Sequence, residues 1–280
     1  MKKQKEALRF SRYSILCSTV MIALLLSSCN YVKNHIFSPK HLGSSTETEM
    51  LSISLSELEN IAKLDRSYFI YFSSDLCEHC NNFLPIISSY VKETQILVYN
   101  LKNIPYPEGW VKLQNLTNSR GVRIFSALNE SLPIVNATPT LCVVNEGSRV
   151  YDISRSSFSN LSSFKSTMSA YYKHSSTYVV SSLQALGEKL KDGKDFIIST
   201  FDSSRVGELD SLNVSLFQKS NNTGKPVYFV DLQFFAYIDF KLTDGIDIGE
   251  NKLTIRQNNN TRLISFDSPD AISSINDYFS

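Results

Sequence analysis

Cysteine is scarce in this chain, at 5 of 280 residues, too few for a scaffold held together by disulfides. Glycine (10) and proline (8) are also sparse, which excludes a collagen-like repeat or a low-complexity Pro/Gly chain. Neither sign of charge dominates: 28 Lys and Arg against 27 Asp and Glu leave +1. No basic stripe with interleaved aromatics is present, so nucleic acid is not an expected partner. No apolar run reaches the roughly 20 residues a membrane helix needs, which excludes a polytopic membrane protein. What is present is 42% hydrophobic, 11% aromatic and 20% charged residues. That is a globular composition with material for a core, and the length predicts one to three domains of about 150 residues.

The N-terminus reads as an address. Lys2, Lys3, Lys5, Arg9 and Arg12 precede the short apolar run Ser14–Leu26, the order of a secretory signal. The run ends Leu26-Ser27-Ser28-Cys29, which resembles the bacterial lipobox. That resemblance implies a lipoprotein signal peptide over 1–28 and lipidation of Cys29. It places the chain on the outer face of the bacterial cytoplasmic membrane, held in the lipid bilayer by acyl chains such as palmitate. An ordinary signal peptide or an uncleaved anchor is the alternative. Residues 29–50 are polar, Ser/Thr-rich and without apolar periodicity, and read as a flexible tether.

The pattern then changes. Leu55, Leu58, Ile61 and Leu64 recur at helical spacing within Leu51–Leu64, with Ser54 or Ser56 as a cap. Tyr68–Phe72 is β-rich and predicts a buried strand. After a short loop come Cys77-Glu78-His79-Cys80 and a predicted helix running to Val91, then a strand over Gln95–Leu101. A long stretch to Val135 precedes Thr138-Pro139-Thr140 and a predicted hairpin turning at Asn145-Glu146-Gly147. A helix is expected between Ser159 and Tyr172.

A Cys-x-x-Cys pair arises by chance in about one chain in ten of this composition, so the pair alone is a weak signal. Its place is informative. It lies where a strand passes into a helix, which puts Cys77 at a helix N-terminus, where unpaired N–H groups and the dipole favour a thiolate. Together with Pro85, the Thr138-Pro139 segment opening a strand and the closing hairpin, this resembles the thioredoxin-like superfamily over about residues 51–172. The resemblance implies an α/β thioredoxin-like fold, a central mixed sheet flanked by helices. It implies Cys77 and Cys80 as a redox-active disulfide, with no other cofactor, and Pro139 as a cis residue beside the sulfurs. His79, also present in thiol-disulfide oxidases of that family, would stabilise the Cys77 thiolate. Thr138 and Leu76 would contact substrate. Glu78 would oppose a thiolate if close, or be a solvated acid. Two departures stand out: Leu76 replaces the Trp common before the first Cys, and Tyr71 stands where thioredoxins carry a buried Asp.

Other candidates are weighed against structural readings. Cys142 on a predicted strand reads as a buried inert thiol, with a third redox Cys as the alternative. Cys17 falls in the signal. The loop Ile104–Trp110 is a packed surface loop or a groove wall. One CxxC gives two ligands where structural zinc takes four; His35, His41 and His174 add no metal-ligand spacing, so no metal is expected.

A second copy without the cysteines follows over 173–280. Leu183–Leu190, Asp195–Ser199, Pro226–Leu232, Lys252–Ile264 and a helix over Ser268–Phe279 echo the earlier order. Thr200–Gly207 replaces the CxxC region, and Asn251 stands where Pro139 stands. Two tandem copies are therefore expected, the second without redox chemistry. Its run Phe234–Phe240 is core or a docking face.

The resemblance implies a membrane-anchored thiol-disulfide oxidoreductase acting outside the cytoplasm. Its partners would be protein thiols and disulfides and a membrane redox partner. The alternative is a surface binding or scaffold lipoprotein in which Cys77–Cys80 is structural.

Overall fold

The computed structural model describes residues 35–43, 50–127, 132, 134–153, 158–205, 209–235, 241–242, 246–249 and 251–280. The expected signal over 1–28 and Cys29 lie outside the described residues. Among the described residues no helix is long and apolar enough to cross a membrane.

The elements run β1 (Ile36–Leu42), β2 (Leu51–Ile53), α1 (Leu55–Lys63), β3 (Tyr68–Ser73), α2 (Glu78–Thr94), β4 (Val98–Lys102), α3 (Glu108–Asn115), β5 (Thr140–Asn145), β6 (Ser148–Ile153) and α4 (Leu161–Ser169). They continue with β7 (Tyr172–Val180), α5 (Leu183–Leu190), β8 (Phe196–Phe201), α6 (Leu209–Thr223), β9 (Val227–Asp231), β10 (Lys241–Leu242), β11 (Ile246–Asp247), β12 (Lys252–Gln257), β13 (Asn260–Ser265) and α7 (Asp270–Phe279).

The first sheet has the order β2-β4-β3-β5-β6. β4 runs parallel to β2 and β3, β5 antiparallel to β3, and β6 antiparallel to β5. This is the mixed sheet that the thioredoxin-like resemblance implies. β3 lies at its centre because all six of its residues are apolar or small and all six are buried. Tyr68, Ile70 and Phe72 pack with α1 and α3 on one face. Phe69 and Tyr71 pack with α2 and α4 on the other. The helix expected over Leu51–Leu64 starts only at Leu55. Leu51–Ile53 pairs instead with β4, and Ser54 caps the helix by accepting from the Glu57 N–H at 3.2 Å. The capping box separates strand from helix.

The second sheet has the order β1-β7-β9-β8-β12-β13. Its five strands from β7 onward repeat the order and directions of the first sheet: β7, β9 and β8 are parallel, β12 is antiparallel to β8, and β13 to β12. Its first strand, β7, begins where the sequence placed the junction at Tyr172 and was not predicted.

One expectation is overturned. Ile36–Leu42 falls in the segment read as tether, yet it forms β1, parallel to β7, with a register shift at Pro39. The sequence IFSPKHL has no apolar alternation and carries a proline, so its pattern gives no strand signal. It is held by backbone pairing along β7's free edge. β1 also reaches the first half: the His41 N–H donates to the Gln95 carbonyl at 2.7 Å, and the Pro39 carbonyl accepts from the Leu97 N–H at 2.9 Å.

The two halves share further contacts. The Arg66 guanidinium lies 4.8 Å from the ring centres of both Phe201 and Phe229. Leu64 packs in the core of the second sheet, and Val179 and Phe234 pack against that of the first. Phe235 packs under the second sheet; Ala236–Phe240, the rest of that aromatic run, lies outside the described residues.

Candidate active site

The candidate site is built where β3 hands the chain to α2. Burial drives β3 through the sheet to Ser73. There the Asp75 carboxylate accepts from the Asn103 side-chain amide at 2.7 Å and pairs with Lys102 at 2.5 Å, while the Asp75 N–H donates to Asn103 Oδ1 at 2.9 Å. Lys102 and Asn103 hold the Asp75 carboxyl below its usual range. These bonds pin the loop to the end of β4. Asp75 lies 27 positions from Lys102 and 28 from Asn103, so no local signal could have linked them.

Cys77 is the N-cap of α2. Its sulfur accepts from the Cys80 N–H at 3.1 Å, and its carbonyl accepts from the N–H groups of Cys80 and Asn81 at 3.0 and 3.2 Å. Cys77 and Cys80 form a disulfide with Cα atoms 5.2 Å apart. Cys77 is half-buried, whereas Cys80 is only 3% exposed. An entering thiol therefore meets Cys77 first. When the bond opens, the helix N-terminus and the Cys80 N–H favour a Cys77 thiolate.

His79 is exposed on the first turn of α2, and Leu76, beside Cys77, is 97% exposed. The Thr138–Pro139 peptide is cis, with Pro139 buried and Thr138 half-buried. His79 and Pro139 line one pocket of about 450 Å³ with Asn82, Phe83, Ile86 and Phe158. The structure thus brings together two residues that are 60 positions apart in the sequence. Phe158, which the sequence reading missed, stacks on Phe83 at 3.7 Å between ring centres. Its only sequence signal was an aromatic just before a helix, and its role as pocket wall is a tertiary contact.

Beneath α2, Tyr71 is fully buried edge-to-face against Phe83, at 5.5 Å. Its hydroxyl has no hydrogen-bond partner, and burial pushes its pKa up to about 12. A neutral phenol therefore fills the position where a buried carboxylate would act as proton acceptor.

Cys142 is fully buried, pairs with Ile70 on β3, and belongs to the core on the α1 and α3 face. Helix α2, and with it Cys80, packs on the opposite face. Burial, reinforced by Asp152, pushes the Cys142 thiol well up. Cys142 is thus an inert core thiol separated from the disulfide by the sheet. Trp110 is half-buried against the same core. Among the described residues no group of three or more His, Cys, Asp or Glu side chains is arranged to hold a metal ion.

No family model matches the chain, and no curated protein matches it. Among solved structures, a mutant thioredoxin from Halobacterium salinarum is similar at 15% identity and a TM-score of 0.31, covering 45% of this chain and 93% of that one. Fasciola hepatica thioredoxin is similar at 17% and 0.30, covering 44% and 99%. Thioredoxin O1 from Arabidopsis thaliana in its oxidised state is similar at 17% and 0.31, covering 45% and 99%.

Proposed function

We propose that this thioredoxin-like chain is a thiol-disulfide oxidoreductase, anchored through Cys29 to the outer face of the cytoplasmic membrane and acting on protein thiols and disulfides. The observation that carries the reading is the accessible, helix-capping Cys77 bonded to the buried Cys80. In the oxidising direction a substrate thiolate attacks Cys77 Sγ. The Cys77–Cys80 bond breaks, Cys80 leaves as thiolate, and a mixed disulfide joins substrate to Cys77. A second substrate thiolate attacks the substrate sulfur of that bond and releases Cys77. The substrate is oxidised to a disulfide, and the protein takes up two electrons, which a membrane redox partner removes. The reducing direction runs the same steps in reverse. Thr138 and Leu76 would contact the substrate strand.

His79 would stabilise the Cys77 thiolate, and so the reduced form. His79→Ala should then lower the reduction potential, and a shift of about 30 mV corresponds to about 1.4 kcal/mol. The test of the whole reading is to equilibrate the protein with glutathione buffers and quantify the Cys77–Cys80 pair. A potential from about −120 to −180 mV fits a disulfide donor or isomerase, and one from about −230 to −270 mV fits a reductant. A pair that never exchanges overturns the enzyme reading and leaves a structural disulfide in a binding lipoprotein.

A further inference from the structure

The second half carries a built pocket that the thiol chemistry does not use. Its floor is a row of register partners across three strands: Lys40 on β1 opposite Tyr178 on β7, and Tyr178 opposite Tyr228 on β9. Partners in register share a face of the sheet. The two tyrosine rings stack at 5.0 Å. Two ammonium groups converge on that floor, Lys40 Nζ at 5.3 Å and Lys189 Nζ at 5.9 Å from the centre of the Tyr178 ring. Lys189 comes from the last turn of α5. The cavity, of about 290 Å³, is completed by Asp192, Lys194 and Asp195 among others.

The lining carries three lysines, Lys40, Lys189 and Lys194, against two aspartates, Asp192 and Asp195, a balance of one positive charge. Asp192 pairs with Lys194 at 3.3 Å. The Asp195 carboxylate accepts from the Asn258 N–H at 2.9 Å. Beside Lys194, Lys189 also acts on the Asp192 carboxylate and helps to hold it below its usual range, while Lys40 and Lys189 both stand over the Tyr178 ring, which attracts a cation but neutralises no charge. Two ammonium groups over one ring suit an anion with several acceptor oxygens, and lysine binds phosphate as a point charge. The tyrosine floor offers an apolar surface to whatever carries the phosphate.

We propose that this pocket is a phosphate-binding site for a small phosphate ester, gripped by Lys40 and Lys189 over the Tyr178–Tyr228 stack. The ester is either a soluble molecule or a glycerophospholipid headgroup. The site stands on its own geometry and does not depend on the redox reading.

The test titrates the full-length protein with glycerol 1-phosphate by calorimetry at low salt, beside Lys40→Gln, Lys189→Gln and the double variant. One saturable site is expected, weakened about tenfold or more in the double variant. Unfolding in denaturant should be unchanged in all three, which shows that the fold is intact. The single Lys189→Gln variant, at an exposed helix end, keeps the test valid if the double variant fails to fold. Displacement of glycerol 1-phosphate by phosphatidylglycerol vesicles, but not by phosphatidylcholine vesicles, would assign the headgroup. Binding without displacement would assign a soluble ester. Absence of saturable binding, binding untouched by the substitutions, or occupancy by poly-glutamate in place of the phosphate ester would overturn the proposal.

Discussion

The two halves use one sheet topology, and they differ in the turn after the second strand of each. Four residues separate β3 from α2, and seven separate β8 from α6. In the first half the turn is tied from outside, by Asp75 to Lys102 and Asn103, and its last residue, Cys77, caps the helix. In the second half Asp202 accepts from the Ser204 N–H and hydroxyl at 2.9 and 2.6 Å. There the buried Asp231, at the end of β9, accepts from the Ser203 N–H at 3.0 Å. Both turns are thus tied to the end of the neighbouring strand, and they differ in that the first ends on Cys77 as the cap of α2. One sheet topology thus carries a disulfide at the start of a helix in one half and no cysteine in the other.

The sharpest break of this comparison is Cys77→Ser, which should remove disulfide exchange to the uncatalysed background. Cys80→Ser should instead accumulate mixed disulfides on Cys77, visible by mass spectrometry after mixing with thiol-bearing protein. Retained turnover in Cys77→Ser would place the activity elsewhere.

Next in size is the joint between the halves. Arg66→Leu removes a buried cation that lies against Phe201 and Phe229 and takes away the positive charge that acts on Asp231. A loss of about 2–3 kcal/mol in denaturant unfolding is expected. A change near zero would mean the two sheets hold together without this residue.

Acid should separate the two turns, because their carboxyls are shifted oppositely. Asp75 is held low by Lys102 and Asn103. Its contribution is present above the ordinary value of 3.8 and is lost as pH falls through the lower folded value. Asp231 is raised, chiefly by burial, against the hydrogen bonds from Ser203 and the charge of Arg66. Its contribution is present below 3.8 and is lost as pH rises through the higher folded value. Between pH 3 and 6, hydrogen exchange should show the second turn protected more as pH falls, after correction for intrinsic rates. The first turn should loosen only at the acid end. Asp231→Asn should abolish the pH dependence of the second turn alone.

The smallest effect is expected from Cys142→Ala. Exchange at Cys77 should keep its rate, because the sheet lies between the two sulfurs, while stability falls by about 1 kcal/mol from the lost packing. A slowed exchange would return Cys142 to the redox chemistry.

Much of this was legible along the chain. The aromatic run of β3, the Cys77–Cys80 spacing, the hairpin at Asn145–Gly147 and the helix Leu183–Leu190 are local patterns, and the structure places each where the pattern put it. β1 was not legible, because Ile36–Leu42 has no strand period and is held by backbone bonds to β7 and to residues 95–97. Phe158 and the Asp75 tie escaped for the same reason: each gains its role from a partner far away in sequence.

Residue type and spacing by themselves determined where the Cys77-x-x-Cys80 pair lies and which end of a helix carries it, since hydrophobic period and caps act within a few residues. Only the tertiary structure decided that Cys142 faces away from the Cys77–Cys80 disulfide, that Pro139 and His79 share a pocket, and that Lys40 and Lys189 both stand over the Tyr178 ring. Those facts depend on strand register and on which face of a sheet a residue takes. A shift of one residue would reverse both, and only the packing of the whole sheet fixes them.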